Sequence, residues 1–218
     1  MATISANEVK ELREKTGAGM MDAKKALQET AGDFEKAVDL LRKKGLSAAA
    51  KKSARVASEG IVASYIHMGG KIGVMVEINC ETDFVARNDD FQQFARDVAM
   101  QVAAANPQYV SRDHVSADVL ERERTIYREQ ATESGKPANV VEKIVDGKIE
   151  KFYSESCLME QVYIKDADGK LKVRDLLNQL VATIGENIII RRFVRYQLGE
   201  GIEKKQENFA EEVAAQLK

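Results

Sequence analysis

An acidic residue and a large aromatic residue stand side by side where a predicted strand ends. Apolar and polar residues alternate over 71–78, which is the period of a half-buried strand, and Asp83 and Phe84 follow its exit. A carboxylate at such a point can accept hydrogen bonds from the first amide groups of a following helix. The residue pattern alone therefore favours a structural interpretation, in which Asp83 caps a helix and Phe84 begins its buried face.

A glycine-rich segment at 16–19 is the one stretch that resembles a phosphate loop. It joins one predicted helix to the next, whereas a phosphate loop joins a strand to a helix, and the chain contains no Gly-Lys-Ser or Gly-Lys-Thr. We therefore expect no direct nucleotide binding. Acidic pairs such as Asp89-Asp90 have no nearby base or electrophile, so they are expected on solvated helix faces.

Cysteine and histidine residues are few and scattered. Cys80 and Cys157 are the only cysteines, His67 and His114 are the only histidines, and there is no Cys-x-x-Cys. This pattern does not indicate a metal site, a disulfide framework or a nucleophile paired with a histidine. Cys80 alternates with predicted buried positions and is expected to be a packed thiol. The sequence thus predicts no cofactor, no bound metal and no covalent catalysis.

The overall composition is typical of a soluble globular protein of one large or two small domains. The chain has 218 residues, of which 44% are hydrophobic and 31% charged, and its formal net charge is -2. Such a balance gives no general attraction to nucleic acid or to membranes. No apolar run approaches the roughly 20 residues of a membrane span, and the N-terminus lacks the order of a secretory signal. A cytoplasmic location is therefore expected.

Three short helices are predicted near the N-terminus, and they must pack as a bundle because none would be stable alone. Asp22 is expected to open the second helix and Gly45 to close the third. Residues 42–55 contain six basic residues and no acidic one. We interpret this stretch as a linker, which assigns the N-terminal bundle and basic linker to 1–55.

Residues 56–200 are predicted to form an α+β core domain. A hairpin over 61–78 and a strand over 187–197 are rich in β-branched and aromatic residues and should pair in an antiparallel sheet. Amphipathic helices should cover one face of that sheet. These helices are expected at 88–106, 116–133, 137–153 and 173–184.

A C-terminal helical module is predicted over 201–218. Phe209, Val213 and Leu217 recur every four residues and give this segment an apolar stripe. Such a stripe can pack on its own domain or on a partner, and the pattern leaves both open.

Two long segments resemble a known family. Residues 12–27, which read Leu-Arg-Glu-Lys-Thr-Gly-Ala-Gly-Met-Met-Asp-Ala-Lys-Lys-Ala-Leu, are similar to the first signature of bacterial elongation factor Ts, and residues 77–87 resemble the second. Shorter segments at 134–137, 185–192 and 199–204 resemble the same family. The resemblance therefore covers nearly the whole chain.

The resemblance implies a guanine nucleotide exchange factor for the translational GTPase elongation factor Tu. In that family, the equivalent of Thr82, Asp83, Phe84 and Val85 enters the GTPase beside its magnesium site. The resemblance gives Phe84 the role of a wedge and gives Asp83 the disturbance of nearby polar contacts, while Thr82 and Val85 support their geometry. It also implies partner contacts from Leu12, Met20 and Met21 in the bundle and from Phe209 and Val213 in the C-terminal helix.

One departure from the family pattern leaves the mode of association open. Longer members have two similar half-cores and an inserted helical hairpin, whereas this chain passes once through the sheet pattern and looks like a compact form. A compact form implies either a smaller interface with the GTPase or pairing with a second copy. An alternative class also stays open, namely an adaptor with a bundle that resembles ubiquitin-associated domains and a basic stretch at 42–55 that contacts RNA or the ribosome.

Overall fold

The structure is a computed structural model that describes residues 4–135 and 137–202. The predicted C-terminal helix, with Phe209 and Val213, lies outside these residues. Among the residues that are described, no helix is long and apolar enough to cross a membrane.

Three helices form the N-terminal bundle: α1 (Ala6–Thr16), α2 (Met20–Glu29) and α3 (Phe34–Lys52). A capping box opens α1, because the Ser5 hydroxyl accepts from the Glu8 N–H at 3.2 Å while the Glu8 carboxylate accepts from the Ser5 N–H at 2.7 Å. The bundle has its own hydrophobic core, formed by Val9, Leu12, Ala23, Ala26, Leu27 and Ala37.

Two helix boundaries in the bundle differ from the expectation. Helix α2 begins at Met20, with Gly19 at its N-cap, two residues before Asp22. Helix α3 continues through Gly45 and ends at Lys52, so most of the basic stretch is helical. The expectation that Gly45 closes α3 was wrong because one interior glycine costs a helix only about 1 kcal/mol relative to alanine, which packing can offset.

The remaining elements form an antiparallel sheet with helices on one face, which confirms the α+β class. The strands are β1 (Glu59–His67), β2 (Ile72–Cys80) and β3 (Ile189–Gln197), in the order β1-β2-β3. The helices are α4 (Asp83–Ala86), α5 (Asp89–Ala105), α6 (Ala117–Glu133), α7 (Ala138–Ser156) and α8 (Val173–Ile184).

The main hydrophobic core lies between the sheet and its covering helices. Alternate residues of β2, namely Val74, Val76 and Ile78, are buried in one cluster with Phe91 and Phe94 of α5. The intervening residues of the strands face away from the helices. This open face of the sheet carries the exposed apolar side chains of Val62, Ile66, Met75, Val194 and Tyr196.

The pairing of β2 with β3 contains a register shift between Glu77 and Ile78. In a regular strand, successive side chains point to opposite faces. Here Arg191 and Arg192 both donate to the Glu77 carboxylate, each at 2.6 Å. These hydrogen bonds lower the pKa of Glu77 below its usual value.

Helices α6 and α7 pair as an antiparallel hairpin. Arg124 lies 3.1 Å from Asp146 and Arg128 lies 2.8 Å from Glu142, so ion pairs run along its surface. The sequence predicts both helices but not that they pack together. The apolar contacts between them come from Ala131, Val141, Val145 and Ile149.

Helix α3 connects the bundle to the core by packing along α8. At Gly45 the two helices approach so closely that an added Cβ would lie 3.8 Å from the Ala182 Cβ. The Thr183 hydroxyl lies 3.1 Å from the Gly17 carbonyl oxygen and 2.9 Å from the Gln179 carbonyl oxygen of its own helix, and it shares its proton between them. The bundle therefore contacts the core directly, and the connection between α3 and β1 is reduced to residues 53–58.

Candidate functional site

A single-turn helix, α4, follows β2 and displays an aromatic ring. Thr82 is its N-cap, because the Thr82 hydroxyl accepts from the Val85 N–H at 3.4 Å. With the cap one residue earlier than expected, Asp83 lies in the first turn, and Val85 and Ala86 pack against the main core. Phe84 is left 80% exposed. The interpretations of Asp83 as the cap and of Phe84 as the start of a buried face were both wrong.

The structure brings the four predicted residues 82–85 together at one exposed corner of the sheet. The Asp83 carboxylate lies 2.7 Å from the guanidinium of Arg87, one turn further along, and half of the Asp83 side chain stays exposed. Val85 anchors the turn, since it packs on the main core. The corner thus presents an aromatic ring beside a solvent-accessible carboxylate.

The segment that leads into α4 is fastened to the turn before β3. One oxygen of the Glu186 carboxylate accepts from the N–H groups of Glu81 and Thr82, both at 3.0 Å, and the other accepts from the Thr82 hydroxyl at 2.7 Å. In return, the Glu81 carboxylate accepts from the Asn187 N–H at 2.6 Å. We call Glu81, Thr82, Glu186 and Asn187 the exit clasp.

The connection between α3 and β1 joins the exit clasp as a third segment. The buried side-chain amide of Asn187 donates to the Arg55 carbonyl oxygen at 2.7 Å. The Arg55 guanidinium donates to Glu81 at 3.4 Å. Three segments that are distant in sequence thus meet at the root of α4.

Sequence reasoning did not assign Glu81, Glu186 or Asn187 to the site. One signal was present, since glycine is favoured just after a helix in the left-handed conformation, and Gly185 has a φ of 89° after α8. That signal locates the turn but not its contacts. Glu81 and Glu186 are 105 residues apart, and no local periodicity relates them.

The thiol of Cys80 lies next to the exit clasp. It is fully buried, as predicted, and its Sγ lies 3.1 Å from the Thr82 carbonyl oxygen. Burial, and then the negative charge of Glu186, raises the pKa of Cys80 to about 11. This thiol therefore stays protonated near neutral pH and is a poor nucleophile. In the described part of the chain, no three His, Cys, Asp or Glu side chains form a group that could hold a metal ion.

The bundle residues that were expected to bind a partner differ in their exposure. Met20 and Met21, in the first turn of α2, are 50% and 62% exposed. Leu12 is completely buried in the core of the bundle because it lies on the same inward face of α1 as Val9. The Leu12 side chain therefore offers no surface to a partner in this structure, which corrects that part of the expectation.

Comparison with known proteins identifies the family. A sequence model described as Elongation factor TS matches residues 5–172, which is well over half of the chain. The chain belongs to the elongation factor Ts family. Membership of this family makes it a translation elongation factor.

Individual elongation factor Ts proteins match along almost their entire length. The protein from Desulforamulus reducens is 62% identical over 218 residues and is covered completely by this chain. The protein from Geobacter metallireducens is 64% identical over 213 residues, or 98% of each chain. The one from Anaeromyxobacter dehalogenans is 65% identical over 214 residues, which covers 98% of this chain and 97% of the relative. This chain and these elongation factor Ts proteins are therefore of nearly equal length.

Proposed function

We propose that this elongation factor Ts chain is a guanine nucleotide exchange factor, which binds elongation factor Tu in its GDP form and promotes release of GDP. The observation that supports this most is the exposed Phe84 ring at the exit of a well-packed sheet. Burying such a ring in a partner contributes on the order of 2 kcal/mol to binding. The activity needs no catalytic base and no covalent step.

The arrangement of residues 82–85 supports a wedge mechanism. A GTPase holds its nucleotide through a phosphate loop and a magnesium ion that bridges phosphate oxygens, so displacing the groups around that ion weakens nucleotide binding. Phe84 enters a pocket of the partner and moves the elements that surround it. Asp83 brings a carboxylate toward the same site, where it competes for hydrogen-bond donors. The packing of Val85 on the core holds the wedge in a fixed position when it meets the partner.

The exchange cycle follows from thermodynamic linkage. If the factor lowers the affinity of the GTPase for nucleotide, then nucleotide lowers the affinity for the factor by the same ratio. Incoming nucleotide therefore releases the factor. Met20 and Met21 on α2 provide a second apolar contact with the GTPase, and we place Phe209 and Val213 of the C-terminal segment in a third.

A nucleotide-release assay tests the proposed function. Elongation factor Tu loaded with a fluorescent GDP analogue is mixed with increasing concentrations of the full chain in excess unlabelled GDP. We expect release to accelerate and then to saturate as the complex fills. If a binding measurement shows the complex to be saturated while the release rate remains that of the GTPase alone, the exchange function is refuted.

An adaptor that contacts RNA is the second candidate function, and one observation favours it. Four cationic side chains, Lys44, Lys51, Lys52 and Arg55, line an open surface together with Ser47 and Ala48. Clustered cations attract a phosphate backbone and release its bound counterions. Binding of RNA that falls steeply with added salt, together with unchanged GDP release, would favour the adaptor over the exchange factor.

A further inference from the structure

We propose that Glu186 is a positioning residue for the Phe84 wedge, because its carboxylate holds the root of α4 and thereby sets the pose in which the aromatic ring meets a partner. This inference rests on the proposed exchange function. Glu186 reaches the helix through Thr82, whose N–H and hydroxyl both donate to its carboxylate.

Helix α4 needs support from outside its own residues. It contains only four residues, and the first turn of a helix is unfavourable to form on its own. Phe84 cannot anchor it, since the ring is mostly exposed. The support comes from Val85 and Ala86, which pack on the core, and from the hydrogen bonds that reach the segment from Glu186.

Hydrogen bonds at Thr82 connect Glu186 to the N-terminus of α4. A threonine hydroxyl has one proton to donate and lone pairs with which to accept. Its proton is donated to Glu186 at 2.7 Å, which leaves a lone pair for the Val85 N–H at 3.4 Å. Glu186 therefore orients the hydroxyl that caps α4. Its hydrogen bonds are charge-assisted and stronger than those of a neutral acceptor.

Glu186 is itself held firmly enough to serve as a reference point. The residue before it, Gly185, closes α8 with a φ of 89°, and the residue after it, Asn187, is buried and bonded through both its backbone N–H and its side chain. The carboxylate thus fixes an exposed turn relative to two packed elements, α8 and β3. A wedge that is ordered before binding loses less conformational entropy when the complex forms.

Two measurements on the full chain test this role. Amide hydrogen exchange at Glu81 and Thr82 reports the clasp directly and is independent of any partner, and we expect Glu186→Ala to reduce protection there by about tenfold or more. Release of labelled GDP from elongation factor Tu is then compared in the wild-type and Phe84→Ala backgrounds. We expect Glu186→Ala to slow release about tenfold in the first background and far less in the second.

Two further variants control for general destabilisation. Glu77→Gln removes another ion-paired carboxylate between β2 and β3 and should leave both readouts at wild-type values. Glu186→Gln retains an acceptor oxygen and the side-chain volume, so it should lose less than Glu186→Ala and remains usable if the alanine variant does not fold.

The outcomes separate this inference from the proposed function. An equal slowing by Glu186→Ala in both backgrounds, or reduced protection with unchanged release, would overturn the positioning role. If the wild-type chain does not accelerate GDP release, the exchange function is refuted. The hydrogen-exchange measurement remains valid in that case, and unchanged protection of Glu81 and Thr82 in Glu186→Ala would refute the exit clasp as the support of α4.

Discussion

The guanidinium of Arg42 lies 2.8 Å from the carboxylate of Asp175, and this ion pair joins the N-terminal bundle to the core. Asp175 is buried, and its carboxylate also accepts from the Lys172 N–H at 3.2 Å. A buried carboxylate is unfavourable unless it is paired. The bundle is therefore coupled to the core through α3, whereas a flexible linker would leave few such contacts.

Replacing Arg42 should destabilise the fold. We expect Arg42→Ala to lower the free energy of unfolding by about 1–3 kcal/mol, because Asp175 would stay buried without this cation. Lys43→Ala changes an exposed neighbour on the same helix and should stay within about 0.5 kcal/mol of wild type. Urea unfolding of both variants measures the difference. Equal stabilities would show that the ion pair does not couple the two parts.

Replacing Phe84 should impair exchange but not folding. Because the ring is mostly exposed, Phe84→Ala should unfold within about 0.5 kcal/mol of wild type. Loss of about 2 kcal/mol of binding free energy should slow GDP release by a factor of tens at subsaturating concentration. Val56→Ala removes a similarly exposed apolar side chain outside α4 and serves as the control. A Phe84→Ala chain that is unfolded by circular dichroism would mean that the ring is structural.

The carboxylate of Asp83 can be separated from its ion pair with Arg87 by two single substitutions. Asp83→Ala removes both the carboxylate and the pair, whereas Arg87→Ala removes only the pair. An exposed pair of this spacing contributes about 0.5 kcal/mol or less to stability, so both variants should remain folded. We expect slower GDP release from Asp83→Ala and close to normal release from Arg87→Ala. Similar rates for the two variants would show that the carboxylate has no role beyond the pair.

A glycine substitution tests whether α3 runs without interruption. At Gly45 an added Cβ would make only ordinary contacts, so Gly45→Ala should stabilise the fold by about 0.5–1 kcal/mol. Gly147→Ala, in the interior of α7 with open space around it, should give a similar gain. Thermal unfolding compares the two. A loss of stability from Gly45→Ala alone would indicate that α3 ends at Gly45, as the sequence suggested.

Stability should depend on pH through the buried carboxylate of Glu160. Burial raises its pKa, but hydrogen bonds from Arg112 and Lys172 outweigh burial, so the pKa of Glu160 is lowered overall. A carboxyl with a lowered pKa in the folded state stabilises fully above its ordinary value of 4.5. That stabilisation is lost as the pH falls through the lowered value.

The variant Glu160→Gln should reveal this dependence. At neutral pH its free energy of unfolding should be lower than that of wild type. This difference in free energy should decrease as the pH falls below the ordinary pKa of glutamate, because the wild-type carboxyl then becomes neutral. Glu142→Gln, at an exposed pair with Arg128, is the control and should show a small gap. Urea unfolding of the three proteins at several pH values provides the comparison, and a constant gap would contradict the assignment.

The sequence predicted those elements whose periodicity is strong and local. Strand β2 and helices α5 and α8 lie at or near their expected bounds. Each of them is buried on one face, so apolar residues recur in its sequence at the period of a strand or of a helix. The cap of α4 was misplaced because Thr82 and Asp83 can both cap a helix, and the choice depends on the distant carboxylate of Glu186.

The length of α3 and the exit clasp could not be predicted for a related reason. Gly45 is tolerated inside a helix because α8 packs against it, and Glu186 belongs to the site because β3 pairs with β2. Both facts depend on residues more than a hundred positions away. Only an assembled tertiary structure brings them together.

The burial of both thiols makes this chain a convenient host for spectroscopic probes. Cys80 and Cys157 are its only cysteines, and both are free and completely buried. Burial raises the pKa of each thiol, which disfavours reaction with maleimide dyes under native conditions. A single cysteine introduced on the surface can therefore be labelled selectively while both native residues are kept. Fluorescence distances to the proposed GTPase partner can then be measured on an otherwise unaltered protein.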